Sequence, residues 1–295
     1  MSASQLRLRK AGDGDAVNLA AFLGEYPETS MFLRGNLASH GLGVSNHRHS
    51  TTYWLLESQC IEAVVACTKG GYLMCQAPNG DAAFWDAAAA VLMGRKIAGI
   101  TGVPNQVDAW ANALGLERAV FSVKETEPLY RLGLVDLRLP ELSGLQLRKP
   151  EESDKEKLAD WFDGYAQDTG ITPTDGASGD VAAAVFAAHD AARILERDGV
   201  AVAMTSLNAR VAETVQIGGV YVPTALRGQG LAGAVVAAQL FELRTMGTTT
   251  AILFAANAAA ARAYERIGFQ HVGDYEIALL KTPFEVKGSH DVFQT

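Results

Sequence analysis

Cysteine is scarce in this sequence: Cys60, Cys67 and Cys75 stand close together, odd in number and without a CxxC spacing. That excludes a disulfide framework and a cysteine zinc site, and the three read as buried thiols. Basic tracts are missing as well. With 25 Lys and Arg against 33 Asp and Glu the formal net charge is −8, so neither nucleic acid nor an anionic membrane is expected as a main partner. No run approaches the roughly 18 apolar residues of a membrane span, and none follows the basic residues of MSASQLRLRKAGDGDAV as in a signal peptide. The expectation is a cytoplasmic protein, monomer or homodimer, whose partner is a small molecule. His47 and His49 in SNHRHS could grip a metal only with ligands from elsewhere; the segment reads as a solvated loop, and no metal is expected.

What is present is a repeat. At 295 residues and 48% hydrophobic the chain suits two ordinary domains. LRLRKAGDGDAVNLAAFL (6–23) matches LQLRKPEESDKEKLADWF (145–162), so that Arg9 meets Arg148, Lys10 meets Lys149, Asp15 meets Asp154 and Leu19 meets Leu158. The same spacing of 139 residues lays LLESQCIEAVVACT (55–68) on ILERDGVAVAMTSL (194–207), with Glu57 on Glu196. Two ungapped matches at one spacing indicate two copies of one fold, joined near LRLPELSG (137–144). The expected division is residues 1–140, 145–282 and a tail 283–295, whose Phe284 and Phe293 could dock on the body or on a partner chain.

Each copy opens with a strand, then a helix whose N-terminus carries Asp15 or Asp154 as a capping acceptor. An apolar hairpin follows, its turn marked in the second copy by Asp198-Gly199. The second copy then reads as strands over 200–206 and 213–222, a helix over 230–246, a strand over 249–255, a helix over 258–267 and a final strand over 271–280. This order predicts an α/β (α+β) domain, a mixed, mostly antiparallel sheet covered by helices.

VYVPTALRGQGLAG (220–233) runs from a strand through a Gly-rich loop into a helix. The first amides of a helix have no upstream carbonyl, and its dipole is positive there, so the site favours an anion. Gly228 and Gly230 would let phosphate oxygens approach the backbone, and Arg227 adds a fixed charge. An ordinary strand-to-helix turn is the alternative reading of the same glycines. RGQGLAG meets the dinucleotide spacing GxGxxG, but TTTAILFAANAAAARAY offers no acidic residue on the following strand, and the Gly-Lys-Ser/Thr ending of a P-loop is absent.

Arg227-Gly228-Gln229-Gly230-Leu231-Ala232 resembles the acyl-CoA signature Q/R-x-x-G-x-G/A of the Gcn5-related N-acetyltransferase (GNAT) superfamily. Downstream, NAAAARAYERIGF supplies Asn257, Tyr264, Gly268 and Phe269 in that family's second pattern. The arrangement is similar to tandem GNAT proteins with an FR47-like C-terminal acetyltransferase domain, the N-terminal copy degenerate. The resemblance implies that the amides of Arg227, Gly228, Gln229, Gly230, Leu231 and Ala232 hold the pyrophosphate of acetyl-CoA. It further implies that Val220, Tyr221 and Val222 pair with its pantetheine arm, that Asn257 hydrogen-bonds that arm, and that Tyr264 is the general acid. A phenol, with a pKa near 10, stays protonated at neutral pH and can donate to a departing thiolate. Without those flanking residues, Tyr264 would read as a core tyrosine. Strand alternation makes Glu213 the candidate base, acting directly or through water on the acceptor ammonium, with deprotonation by bulk water or substrate pre-equilibrium as the alternative.

The first copy reads as disarmed. Its corresponding loop carries Asn79-Gly80-Asp81 with no cation, and Trp110 and Ala111 fall where the tyrosine would stand. Only the C-terminal half is expected to bind CoA, with the N-terminal half packing against it and shaping the acceptor pocket. YAQDTGITPTDGASGD (165–180) is the expected acceptor loop, with Trp161, Tyr165, Asp168 and Asp175 as contacts for a cationic amine. The reading implied for the whole is an acetyltransferase acting on a primary amine of a small molecule or amino-acid derivative. A non-catalytic acyl-CoA-binding regulatory module and a tandem enzyme resembling mycothiol synthase are the alternatives.

Overall fold

The computed structural model describes residues 6–169 and 191–287, and among these it forms twelve strands and seven α-helices. In chain order they are β1 (Arg9–Lys10), α1 (Ala16–Gly24), α2 (Met31–His40), β2 (Thr51–Glu57), β3 (Ile61–Thr68), β4 (Tyr72–Gln76), α3 (Ala82–Ala90), β5 (Lys96–Gly102), α4 (Pro104–Ala113) and β6 (Phe121–Gly133). The series continues with β7 (Leu145–Arg148), α5 (Lys155–Thr169), β8 (Arg193–Arg197), β9 (Val200–Val211), β10 (Thr214–Tyr221), α6 (Leu231–Thr245), β11 (Thr250–Phe254), α7 (Ala258–Arg266) and β12 (Gln270–Glu285). No helix among the described residues is long and apolar enough to cross a membrane.

Two compact units result, one of residues 1–126 with 274–295, the other of residues 127–273. The chain changes unit in mid-strand, within β6 and again within β12. In the sequence the halves look continuous, because a repeat shows where copies begin but not which strand completes which sheet. The expected tail also differs: residues 283–285 continue β12, with Phe284 opposite Ile97. Phe293 lies outside the described residues.

Each unit holds one parallel strand pair in an otherwise antiparallel sheet. The first unit runs β1-β2-β3-β4-β5-β12 with β4 parallel to β5, and the second β6-β11-β10-β9-β8-β7 with β10 parallel to β11. In the second unit, alternate strand residues serve two cores. Val215, Ile217, Ala251 and Leu253 meet Leu231, Val235 and Leu240 of α6, while Ile194 and Met204 meet Leu158, Trp161 and Phe162 of α5. The sequence LAGAVVAAQLFELRT is apolar on most sides, so α6 lies deep in the unit, and each large side chain it buries is worth about 1.5–3 kcal/mol.

The repeat is visible as one ionic motif built twice. Arg9 donates to both carboxylate oxygens of Asp15 (2.7 and 2.8 Å) and of Glu57 (2.7 Å each). Arg148 does the same to Asp154 (2.6 and 3.0 Å) and reaches Glu196 at 2.7 Å. The aspartates therefore do not cap the first turns of α1 and α5 as expected. A guanidinium in fork geometry outcompetes an amide, and the remaining carboxylate capacity accepts from the N–H of Gly12 or Glu151, at 2.7 Å in both units. Cys67 and Cys75 are buried as expected, which pushes their thiols up to about 11 and about 12, but Cys60 is exposed because it falls in the turn between β2 and β3. No group of His, Cys, Asp and Glu suited to a metal occurs among the described residues, and His47 stacks on His40 at 4.4 Å between ring centroids.

Candidate active site

In the second unit the parallel strands part early. β10 and β11 pair only from Thr214↔Thr250 to Gln216↔Ile252, while β10 runs on to Tyr221. The pairing of β10 with β9 shifts register after Gln216 and again after Gly218. Glycine makes the bend possible. A side chain on Gly218 would strike that of Asn208, and Gly219 stands at φ +55° against Ser206. At the apex Gln216 is fully buried, and neither heteroatom of its carboxamide has a hydrogen-bond partner among the described residues. A buried unpaired amide is costly.

Beyond Tyr221 and the buried Val222, one turn of 3-10 helix leads into the loop, where residues 227–230 are exposed. Gly228 and Gly230 have φ of +80° and +77°, with open space where a side chain would stand. The left-handed backbone is therefore what requires glycine at both positions, and it turns the loop outward. Gly230 is the N-cap of α6 and gives no side-chain cap. The helical ladder starts with the Ala234 N–H on the Gly230 carbonyl (3.0 Å), so the amides of Leu231, Ala232 and Gly233 have no helical acceptor. Gly233 serves packing, since a Cβ there would sit 3.3 Å from the Ala263 carbonyl of α7.

Arg227 is folded back rather than extended toward the loop amides. Its Nε donates to the Val222 carbonyl (3.1 Å), its guanidinium pairs with Asp168 of α5 (2.5 Å) and it lies 5.7 Å from the Tyr221 ring centroid. Asp168, expected to meet an acceptor amine, is thereby engaged with Arg227. A second cation stands beside the loop: Arg197 donates to Gln229 Oε1 at 2.8 Å. Arg197, at the end of β8, is distant in the chain from the loop, so no spacing in the sequence pairs it with Gln229.

Asn257 Oδ1 caps α7, accepting from the N–H groups of Ala259 and Ala260 at 3.0 Å each, which leaves Nδ2 as the atom to offer a ligand. Gly268, at φ +111°, would clash with the Asp136 carbonyl at 2.7 Å if it carried a Cβ, so this motif glycine lets α7 turn tightly into β12. Tyr264 is buried on α7, its ring 6.1 Å from that of Phe269. Burial, and then the proximity of Tyr165 and Glu127, raise its phenol well above the ordinary value. Tyr165 of α5 is pushed up to about 12, mainly by burial and then by the Glu127 charge, against a lowering contact with the Gly219 backbone.

The remaining candidates separate. Trp161 is a buried core residue of α5 with its ring 6.1 Å from Tyr221, and Asp175 lies outside the described residues. Glu213 sits in the exposed turn between β9 and β10. It lies at the far end of β10 from Tyr221, roughly 25 Å away at about 3.3 Å per strand residue.

The first unit holds the same elements, closed. β4 and β5 pair from Tyr72↔Gly99 to Met74↔Thr101, and β4 continues to Gln76. The next amide, that of Ala77, donates to Gln106 Oε1 of α4 (3.3 Å), an oxygen that also accepts from Cys75 Sγ (3.0 Å). Asp81 caps α3 by accepting from the Phe84 N–H at 2.9 Å, and Trp85 Nε1 donates to the Gly80 carbonyl at 3.1 Å. Side chains of the unit itself thus occupy the groups that stay open in the second.

Residues 155–269 match the model of the acetyltransferase (GNAT) family. No curated protein matches the sequence. Among solved structures, the chain is similar to a GCN5-related N-acetyltransferase from Kribbella flavida, with 19% identity over 89% of this chain and 95% of that one and a TM-score of 0.55. A tandem GNAT protein from the clavulanic acid biosynthesis pathway shares 15% identity over 96% and 100%, with a TM-score of 0.53. A Drosophila protein shares 16% over 92% and 98%, with a TM-score of 0.60. At these identities the likeness is one of fold, that of two tandem GNAT-like domains.

Proposed function

We propose, from the premise that residues 155–269 form an acetyltransferase domain of the GNAT family, that the second unit transfers an acetyl group from acetyl-CoA to a primary amine of a small molecule or amino-acid derivative. The observation that carries this reading is the open helix N-terminus at Gly230 beside a parallel pair that parts at Gln216. The amides from Arg227 to Ala232 would receive the pyrophosphate, with Arg197 and Arg227 as neighbouring cations. The β10 backbone at Val220, Tyr221 and Val222 would take the pantetheine arm as an added strand, and Asn257 Nδ2 would donate to it. Acetyl-CoA supplies an activated acyl carbon and a thiolate leaving group. Tyr264 keeps its proton at neutral pH, because its phenol is raised by burial and by its anionic neighbour; it can therefore donate to that thiolate. We place this work in the cytoplasm.

The test is calorimetric binding of acetyl-CoA to the full chain and to Gly230→Glu, followed by thiol release against a panel of primary amines. Binding that the variant loses, together with thiol release for an amine, is the expected result. Binding without turnover would favour an acyl-CoA sensor, and absence of binding would end the reading.

A further inference from the structure

The site just described needs a base for the acceptor ammonium, and Glu213, in its distant exposed turn, is poorly placed to supply one. The strand β6 brings another carboxylate. Its register on β11 sets Arg131 opposite Ile252 and Leu129 opposite Phe254, and the Pro128 carbonyl accepts from the Ala255 N–H at 3.0 Å. Glu127 therefore stands at the C-terminal end of β11, next to the segment from Ala255 to Asn257 that opens α7. Alternation puts Tyr130 and Leu132 in the core under α6 and α7, and puts Glu127, Leu129 and Arg131 on the opposite face. That is the face that α5 covers and from which Tyr165 approaches Gly219. Tyr264 comes from the α7 side, yet both phenols feel the Glu127 charge, so the three groups converge where β10 and β11 have separated. Glu127 is only partly buried, as an exchangeable base must be.

Resting on the acetyltransferase reading, we propose that Glu127 is the general base that deprotonates the acceptor amine, on the opposite side of the sheet from the acid Tyr264. The acceptor R–NH3+ gives one proton to the Glu127 carboxylate. The freed amine forms the C–N bond to the acetyl carbon, the C–S bond breaks, and the thiolate takes the phenolic proton of Tyr264. The surplus proton on the amide nitrogen returns to the phenolate and Glu127 releases its own to water, so that one proton appears per turnover.

The test uses the full chain and an amine that the wild type acetylates. Glu127→Gln should bind acetyl-CoA within about twofold of wild type while kcat/KM at neutral pH falls by about 10²–10⁴. Raising the pH deprotonates the amine in solution, so the variant's rate should climb about tenfold per pH unit toward the wild type. A loss independent of pH would indicate a structural role and overturn the proposal, as would retention of kcat/KM within threefold, or loss of the base limb in Glu213→Gln instead. If Glu127→Gln fails to bind acetyl-CoA, Glu127→Asp decides: it should keep the wild-type pH profile at a lower rate, and an Asp variant without that profile would refute the assignment. A wild type that binds acetyl-CoA but acetylates no amine would remove the acetyltransferase reading and this base together, whereas an active wild type with an active Glu127→Gln removes only the base.

Discussion

The helix that follows the parallel strand pair caps itself in the first unit and leaves its amides open in the second. Asp81 fills the N-terminus of α3, Gln106 holds the next free strand amide and Trp85 closes over Gly80. At the matching point of the second unit, a left-handed Gly230 begins α6 without a side-chain acceptor. One architecture thus gives either a self-satisfied turn or a helix start with open amides, depending on whether the chain supplies its own polar partners. Under the proposed function it is this unsatisfied backbone, kept open by glycine, that would receive the pyrophosphate.

The comparison is tested most severely at Tyr264, which the first unit replaces with Trp110 and Ala111. Tyr264→Phe should lower kcat by about 10²–10⁴ in steady-state assays. Calorimetry should find acetyl-CoA affinity unchanged; a parallel loss of affinity would make the tyrosine a packing residue. Next in size, Gly230→Glu brings a carboxylate to the open amides, as Asp81 does in the first unit, and acetyl-CoA binding should weaken by about a hundredfold or more. Gly230→Ala separates backbone strain from charge: it should cost about 1–2 kcal/mol in denaturant unfolding without introducing any repulsion.

The two ionic motifs offer a subtler contrast. Asp154→Asn should cost about 1.5–3 kcal/mol in urea unfolding, because its side chain is only 6% exposed and is bonded to a charged group. Asp15→Asn should cost less, since Asp15 and its partner Arg9 are both more exposed than the Asp154–Arg148 pair. Both carboxyls are held below the usual carboxylate range, by their arginines first; Asp15 falls to about 2, where the lesser contribution comes from the Gly12 amide. Their contribution is therefore complete above the unfolded value near pH 4 and is lost as the pH falls below it, for Asp15 as the pH approaches 2. Acid titration of stability should show that loss in wild type and a shallower slope in the double Asn variant. Smallest of all, Asp81→Ala should cost about 1 kcal/mol as a lost N-cap, yet create no second acetyl-CoA site in the full chain, because Gln106 still holds the Ala77 amide.

Much of this was legible in one dimension. The order of strands and helices between residues 200 and 280 follows period and turn residues, although β9 runs on to Val211 and β12 to Glu285, and the spacing of Arg148, Asp154 and Glu196 from their counterparts disclosed the repeat in which the fold builds one ionic motif twice. The glycine loop was legible because φ near +80° admits almost no other residue. Glu127 was not. It precedes the second repeat, and only its membership of the second unit's sheet carries it to the end of β11. The folded-back Arg227, with Asp168 from α5, was hidden for the same reason, as was the Arg197 contact with Gln229.

By itself, the sequence determined the two copies, the order of their elements and the place of the open helix, because these depend on local φ preferences and on apolar period. Tertiary structure decided which unit each half of β6 and β12 completes, which carboxylate lies near Tyr264, and which amides remain unsatisfied. Those are matters of strand pairing and close approach between residues far apart in the chain, and no local preference encodes them.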